Sequence, residues 1–487
     1  MLKRVVIVGN GMAGARLAEE LRYRDPCAAA LRIIVIGAEQ HPGYNRIMLS
    51  HILTGTMTVD DATLRPADWW RANDIDVRIG VKAVDLDVAA RSVRCSDGSL
   101  VEYDELVLAT GAVPCLPRIR GVYRADGSAA RGVVVYRTLD DCKRIAAQLE
   151  PGLRVVVVGA GLLGLEVACA LRSRSVDVAV VDVCDSPLAR QTDAVGGAVL
   201  ARTLEQIGLR LELGRIAASF ADSELTLDDG TRLGADLVLL SAGVRPDVEL
   251  AARAGIGTDR GITVDDCLRT DTAKVWAIGD CAEHRGIVNG LVRPAWEQAD
   301  VVADLISERD IGSRYLGTDN VVRVKAHGID LASMGLIDAE TNSRSHEVVS
   351  IADSARGTYA KLVIADDRLV GALLINTPHA AGTVAQLYDR QTVVPSDRLA
   401  LLVGRGAVPA DADLPRMPDD ALVCRCNSIS KGAVTAAIMR GEDTVAALAR
   451  STRATTGCGG CVDLVGALCA AARLPQRPGS SSMRVPC

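Results

Sequence analysis

The feature that most constrains this chain is a strand–turn–helix pattern that occurs twice. The stretch "RVVIVGNGMAGARLAEELR" begins at Arg4, and "RVVVVGAGLLGLEVACALR" begins at Arg154. Each has a β-branched run, then G-x-G-x-x-G, then apolar residues at helical spacing. The first glycine of such a motif allows a tight turn, the second lets the backbone approach a pyrophosphate, and the third lets the helix pack on its strand. The repeat therefore predicts two dinucleotide-binding folds, each with a pyrophosphate at a helix N-terminus.

Each copy also has an acidic residue where a ribose diol would be bound. Glu39 follows the second apolar run of the first copy, and Asp182 ends the corresponding run "VDVAVVD" of the second. Asp182 would repel a 2′-phosphate, and no arginine immediately follows it. The second fold is therefore expected to favour NADH over NADPH.

Two further small-residue turns, "LVLATGA" and "KVWAIGD", each end an apolar run. With the two glycine motifs, they make residues 1 to about 315 resemble the FAD/NAD(P) oxidoreductases that contain two dinucleotide folds. The resemblance implies an α/β protein with two Rossmann-like folds. The FAD-binding domain would be built from segments 1–117 and 245–315, and the NAD(H)-binding domain, 118–244, would be inserted between them. It also implies that Asp280 contacts the ribityl chain and that Glu166 contacts the nicotinamide.

These motifs and the resemblance give two sets of candidate cofactor-binding residues. The FAD set is Gly9, Gly11, Met12, Ala13, Gly14, Glu39, Arg46, Ser50, Ala109, Thr110, Gly111, Gly279 and Asp280. The NAD set is Gly159, Gly161, Leu162, Gly164, Glu166, Asp182 and Gly243.

The stretch "HPGYNRIMLSHILTG" takes the place where many members of this family carry redox cysteines, and it contains none. Thiolate chemistry at the flavin is therefore not expected. Tyr44, Arg46 and Ser50 match the P-Y-x-R-P-x-L-S-K signature of flavin ferredoxin reductases. Together with "GLVRPAWEQA", the stretch resembles the flavin portion of assimilatory nitrite and nitrate reductases. Tyr44 and Trp296 are expected either to line the flavin or to be half-buried aromatic residues.

The rest of the chain divides by composition. Residues 316–400 predict alternating strands and then a helix. They resemble the small α+β C-terminal domain of rubredoxin and nitrite reductases. Because that domain often supports dimerisation in the family, the resemblance implies a possible homodimer. Residues 401–420 are rich in Gly, Pro, Asp and Ala and predict a linker. The Pro/Ser-rich residues 473–487 predict a disordered tail.

Four cysteines cluster in residues 421–472, as "VCRCNS" and "TGCGGC". From the residues alone, Cys424, Cys426, Cys458 and Cys461 could bind zinc or a two-iron cluster, whereas disulfides are not expected in a reducing compartment. A unit this small has a marginal core, so a metal centre would supply much of its stability. The spacing C-x-C-x31-C-x2-C resembles the bacterioferritin-associated-ferredoxin-like domain. That resemblance implies a small helical domain in which the four cysteines bind a [2Fe–2S] cluster.

Composition and motifs together predict an electron-transfer protein. The net charge of −6 and the 3% aromatic content give no basis for nucleic-acid binding. No secretory signal or long apolar segment is present, so a cytoplasmic protein without a membrane partner is expected. The expected function is an NADH-dependent oxidoreductase that passes electrons through FAD and a [2Fe–2S] cluster to a molybdenum nitrate reductase or a sirohaem nitrite reductase. The alternatives are a free-standing NADH:ferredoxin or rubredoxin reductase and a flavin redox sensor with structural zinc.

Overall fold

A computed structural model describes residues 2–319, 321–326, 328–340, 345–403, 417–424, 427, 429–456 and 460–473. The chain forms two compact units, residues 1–406 and 407–487. Most of the predicted linker, the predicted tail beyond Arg473, and the candidate ligands Cys426 and Cys458 lie outside the described residues.

The first unit begins with a parallel sheet. The elements of residues 2–117 are β1 (Lys3–Val8), α1 (Met12–Arg24), β2 (Leu31–Gly37), α2 (Leu49–Thr54), α3 (Val59–Ala62), α4 (Ala67–Ala72), β3 (Ile75–Ile79), β4 (Ala83–Asp87), β5 (Ser92–Cys95), β6 (Leu100–Glu102), β7 (Glu105–Leu108) and β8 (Ala112–Pro114). Val5, Val6 and Ile7 of β1 are completely buried, as expected for the central strand of a parallel sheet with both faces covered.

A second parallel sheet follows. The elements between residues 118 and 243 are β9 (Val133–Val135), α5 (Leu139–Ala146), β10 (Arg154–Val158), α6 (Leu162–Arg172), β11 (Asp177–Asp182), α7 (Ala194–Gln206), β12 (Arg210–Leu213), β13 (Ala217–Ala221), β14 (Glu224–Leu227), β15 (Arg232–Gly234) and β16 (Leu237–Leu240). The strand order β12-β11-β10-β16-β9 is parallel throughout. The sequence repeat is thus a structural repeat, because β10 is central here as β1 is in the first sheet.

The chain then returns to the first sheet. Residues 244–315 contain β17 (Val244–Pro246), α8 (Glu249–Arg253), β18 (Ile262–Val264), β19 (Val275–Ala277), β20 (Ala282–His284), β21 (Ile287–Val288) and α9 (Val292–Ile306). The first sheet has the parallel order β19-β7-β1-β2-β3. The second sheet is therefore inserted between β7 and β19, and the chain passes between the two sheets through the antiparallel pair β8–β17.

An antiparallel sheet completes the described part of the first unit. Its elements are β22 (Val321–Ala326), β23 (Ile329–Gly335), β24 (Glu347–Asp353), β25 (Thr358–Ala365), β26 (Arg368–Ile375), α10 (Pro378–Arg390) and α11 (Arg398–Leu402). The strand order is β22-β23-β26-β25-β24, and α10 packs its buried face, including Val384, over Leu362 and Leu374. Helix α11 ends at Leu402, so the first two residues of the predicted linker are helical.

The second unit is small and mostly helical. It contains β27 (Leu422–Cys424), β28 (Ile429–Ser430), α12 (Lys431–Met439), α13 (Val445–Thr452) and α14 (Val462–Arg473). Ser430 caps α12 by accepting a hydrogen bond from Ala433 N, and Gly441 follows the helix at φ +95°. Within the described ranges of both units, we find no helix with the length and apolar character that crossing a bilayer requires.

Together, these sheets and helices confirm the α/β class, the small α+β domain and the small helical unit predicted from the sequence.

Candidate functional site

The carboxyl ends of the parallel strands of the first sheet meet at one edge, where the chain makes its glycine turn. Gly9 has φ +121°, and a Cβ added there would lie 2.1 Å from the Ala109 carbonyl oxygen. A Cβ on Gly14 would lie 1.9 Å from the Gly9 carbonyl oxygen. By contrast, nothing lies within 4 Å of a Cβ on Gly11, which starts α1 without a side-chain cap. Two glycines are therefore required by packing, and the third leaves open space at uncapped helix amides.

The second sheet repeats this geometry. Gly159 has φ +119°, and its added Cβ would lie 2.2 Å from the Ser241 carbonyl oxygen. A Cβ on Gly164 would lie 1.9 Å from the Gly159 carbonyl oxygen, whereas Gly161 again has open space. Helix α6 begins at Leu162, directly after this open position, and it also lacks a side-chain cap. Each sheet therefore has a cradle suited to an anionic pyrophosphate.

The two predicted ribose-binding acids have different surroundings. Asp182 accepts hydrogen bonds from Ala160 N at 2.5 Å and from Cys184 N at 2.8 Å, so its carboxylate lies beside the glycine turn. Glu39 accepts instead from Arg46 Nη2 at 2.6 Å and from the Tyr44 hydroxyl at 2.8 Å. The difference follows from position, since Asp182 is the last residue of β11 and Glu39 comes two residues after β2 ends.

Asp280 lies in the turn after β19, at the same edge of the first sheet. Gly279 adopts φ +77°, and its amide donates to Gln298 Oε1 of α9 at 2.7 Å. A Cβ on Gly279 would lie 2.9 Å from Ala13 Cβ, which places this turn against the start of α1. Burial raises the pKa of Asp280, and Arg137 and Arg46 partly offset that effect.

Arg137 is a residue that sequence reasoning missed. Its Nη2 donates to Asp280 Oδ2 at 3.3 Å, and its carbonyl accepts from Arg46 Nη1 at 2.7 Å. Burial, together with the nearby Arg46 charge, lowers the pKa of Arg137. In the sequence, Arg137 lies between an apolar run that ends at Tyr136 and a helix-capping box that begins at Thr138, and this position is the signal that could have indicated it.

This edge contains buried polar atoms that fit a polar cofactor. Among the described residues, Asn10 Nδ2, Asn10 Oδ1 and Arg137 Nε are buried without a hydrogen-bond partner. Buried polar atoms are normally paired, so these groups require a ligand or water beside them. Their positions, next to the open space at Gly11 and next to Asp280, fit the pyrophosphate and ribityl parts of FAD.

Both aromatic candidates are more deeply buried than the half-buried alternative expected. Tyr44 is 5% exposed, and its hydroxyl donates to Glu39 and accepts from Leu139 N. Trp296 is 1% exposed, beneath the Arg16 guanidinium at 5.1 Å. Of the other FAD candidates, Ala109 and Ser50 are buried, Met12 and Ala13 start α1, and Thr110 and Gly111 contact Asp247.

Two buried thiols, Cys142 and Cys169, lie in the apolar cluster around the second sheet, and Glu166 lies three residues before Cys169. Burial raises the pKa of both Cys142 and Cys169 to about 12, and the charge of Glu166 contributes at Cys169. Neither thiol would be ionised near neutral pH, so neither is a nucleophile there. Gly243, at φ +89° with open space around its Cβ position, lies after the last strand of the second sheet.

The second unit buries the two candidate ligands that the structure describes. Cys424 ends β27 with no exposed surface, and Cys461, 6% exposed, directly precedes α14. Both belong to one apolar cluster that includes Val434 and Leu448. Thiol donors within an apolar sheath suit a soft metal centre and fit an iron–sulfur cluster.

Three family models match the chain in series. Residues 3–301 match the pyridine nucleotide-disulphide oxidoreductase model, residues 321–390 the C-terminal domain of rubredoxin NAD+ reductase, and residues 422–470 the BFD-like [2Fe–2S] binding domain. The first implies FAD and NAD(P)H, and the last implies a [2Fe–2S] cluster.

Two proteins from Bacillus subtilis align with nearly the whole chain. The chain is 32% identical over 469 residues to "Nitrite reductase [NAD(P)H]" of Bacillus subtilis (strain 168), covering 95% of this chain and 57% of that protein. It is 33% identical over 468 residues to the "Assimilatory nitrate reductase electron transfer subunit" of the same organism, covering 95% and 59%. The chain thus spans less than two thirds of the length of these relatives.

The solved structures agree on the fold. The structure of the covalent putidaredoxin reductase–putidaredoxin complex aligns with a TM-score of 0.73 at 27% identity, covering 84% of this chain and 97% of that one. With the family match over residues 3–301 and the two glycine cradles, this likeness shows that the chain belongs to the pyridine nucleotide-disulphide oxidoreductase family.

Proposed function

We propose that this chain takes electrons from NADH and passes them through FAD and a [2Fe–2S] cluster to a separate catalytic partner. The observation that carries the proposal is the presence, in one chain, of two matching dinucleotide cradles and a four-cysteine unit with buried thiols. The proposed partner is an assimilatory nitrate reductase, with a nitrite reductase as the second choice, because the similar proteins bear these names. We place this activity in the cytoplasm, where thiol ligands stay reduced.

The proposed roles of the residues follow from their positions. Gly161 leaves the α6 amides open to the NADH pyrophosphate, and Asp182 binds the ribose hydroxyls beside that turn. Glu166 is proposed to orient the nicotinamide. Arg137 and Asp280 hold the polar chain of the flavin at the edge of the first sheet. A bound flavin accepts an electron pair as hydride and releases single electrons, which suits a one-electron cluster.

The terminal reduction is assigned outside these 487 residues. The C-x5-C and C-x3-C pairs of sirohaem enzymes do not occur in the sequence. The relatives extend well beyond the part that this chain matches, at 57% and 59% coverage of their lengths. We therefore propose an electron-transfer role for these residues and a reductase elsewhere.

Anaerobic reduction with NADH tests the proposal directly. The purified chain should contain FAD, iron and sulfide, and NADH should bleach the flavin and produce the EPR signal of a reduced [2Fe–2S] cluster. A Cys461→Ser variant is the matched control, because it should keep flavin reduction and lose the EPR signal. Zinc without iron or sulfide would contradict the proposal and favour the redox-sensor alternative.

A free-standing ferredoxin reductase is the second candidate. It is favoured by the 36% identity over 286 residues to the ferredoxin reductase component of chlorobenzene dioxygenase from Cupriavidus sp. (strain PS12). NADH oxidation measured with a molybdenum nitrate reductase, a sirohaem nitrite reductase or a ferredoxin distinguishes the candidates. Turnover with ferredoxin alone would overturn the reductase assignment.

A further inference from the structure

Asn427 lies in the turn between the two short strands of the second unit and is completely buried. Strand β27 pairs with β28 in the antiparallel register Cys424 to Ile429, and Asn427 lies between these two residues in the sequence. A polar side chain in a hairpin turn is normally exposed, whereas Asn427 has no exposed surface. Its burial therefore requires specific hydrogen bonds.

The Asn427 amide supplies those bonds to the chain that leads into the second cysteine pair. Its Nδ2 donates to the Arg453 carbonyl at 2.6 Å and to Thr456 Oγ1 at 3.0 Å. The Thr456 hydroxyl in turn donates to the same Arg453 carbonyl at 2.9 Å. The three groups form a closed ring of hydrogen bonds within the buried part of the unit.

The segment that Asn427 holds has an unfavourable backbone. Arg453, the first residue after α13, has φ +66°, and Thr455 has φ +70°. Left-handed backbone at residues other than glycine is costly and persists where surrounding contacts enforce it. In the sequence, Thr456 lies two positions before Cys458, the first cysteine of the second pair.

We propose that Asn427 is a positioning residue for the [2Fe–2S] cluster. It couples the β27–β28 pair, which carries Cys424, to the Arg453–Thr456 segment, which precedes the second cysteine pair in the sequence. This inference rests on the proposed cluster. The side chain acts through the ligand segments, as partners outside the ligand set commonly do at metal centres.

The test compares Asn427→Asp and Ser430→Ala in the full chain. Asn427→Asp keeps the shape of the side chain but removes both donors. It should speed cluster loss to a chelator about tenfold or more, as for other lost partners of metal ligands. It should also shift the g-values of the reduced cluster. Ser430→Ala removes the cap of α12, so it should lower the melting temperature of the same unit with unchanged g-values.

Two further comparisons make the result decisive. Thr456→Val keeps the Arg453 carbonyl as an acceptor, so it should give the same spectral shift with a smaller increase in the rate of cluster loss. Asn427→Asp with wild-type g-values and wild-type cluster loss would overturn the inference while the proposed function stands. Wild-type protein that contains zinc and no iron would instead overturn the proposed function.

Discussion

At the residue scale, Arg137 and Asp280 form a partly buried ion pair at the edge of the first sheet. Burial raises the pKa of Asp280 and lowers that of Arg137, so burial disfavours the charged form of both groups. The charge of each group partly offsets this effect at the other. Arg46 adds a second positive charge, itself paired with Glu39. The two arginines and the two carboxylates carry no net charge together, so the open helix amides beside Gly11, and not an excess of positive charge, favour an anionic cofactor.

Removing the arginine should make stability depend on pH. In Arg137→Met, ionised Asp280 loses its partner, and its pKa rises further above the ordinary value of about 3.9. A carboxyl with a raised pKa destabilises the folded state above that pKa, and the cost disappears as the pH falls through it. The melting temperature of the variant should therefore lie below that of wild type at pH 8, with the gap closing toward pH 5. The exposed Arg131→Met serves as control, and an equal gap at both pH values would contradict the prediction.

Asp182 gives a second test at this scale. Asp182→Asn keeps an acceptor for one turn amide but weakens binding of the ribose hydroxyls. We expect KM for NADH to rise about tenfold, with little change in kcat. A hydrogen bond to a charged group contributes about 1.5–3 kcal/mol, and about 1.4 kcal/mol corresponds to a factor of ten in affinity. Steady-state kinetics measure this, with Asp177→Asn at the exposed start of the same strand as control. An unchanged KM would mean that the carboxylate serves the turn alone.

At the element scale, a buried ion pair fastens helix α7 of the second sheet to strand β25 of the small domain. Lys361 Nζ donates to Asp193 Oδ2 at 2.8 Å and to the Ile337 carbonyl at 2.7 Å. The Tyr359 hydroxyl donates to the same carboxylate oxygen, and Asp193 also caps α7 through Gly196 N. The contact is close, because a Cβ on Gly196 would lie 2.7 Å from Leu373 Cδ2.

Breaking this pair should cost far more than breaking an exposed one. Lys361→Met leaves Asp193 buried without its cation, and losing one partner of a buried pair costs about 3–5 kcal/mol. The double variant Asp193→Asn with Lys361→Met should recover part of that loss. Lys325→Met, which breaks a more exposed pair with Asp330, should cost about 0–1 kcal/mol. Chemical denaturation measures the free energies of unfolding, and equal losses at the two lysines would contradict the argument.

At the scale of the whole molecule, the two compact units differ in how their stability arises. Residues 1–406 contain several extensive buried clusters, whereas the described part of the second unit has one small cluster, which includes the thiols of Cys424, Cys461 and Cys469. A small core is marginal without a metal, so the second unit should depend on its cluster.

Metal removal should therefore affect the units unequally. Chelation of iron from the full chain should unfold the second unit, seen as loss of its calorimetric transition, while NADH still bleaches the flavin. Cys461→Ser should give the same result without a chelator. A chelated chain that retains every transition would show that residues 407–487 fold without metal.

Local patterns predicted most of the fold, and long-range contacts account for what they did not predict. The β-branched runs and glycine spacing at Gly9 and Gly159 specify strand, turn and helix within a few residues. Ser430 likewise predicts the start of α12 from its own neighbours. Arg137 meets Asp280, and Lys361 meets Asp193, only after distant segments have packed. No periodicity marks these pairs, so one sequence does not reveal them. The domain boundaries and the individual cofactor roles stay predictions.

The antiparallel pair β8–β17 brings together the point where the chain leaves the first sheet after β7 and the point where it returns from the second sheet after β16. Val113 and Arg245 face one another there, so the 131 residues between them begin and end side by side. An inserted domain whose two ends lie next to each other can be exchanged without lengthening or straining the domain into which it is inserted. The nicotinamide fold is in this sense a cassette, and a lineage or an engineer could replace its electron donor by transplanting one continuous piece of gene.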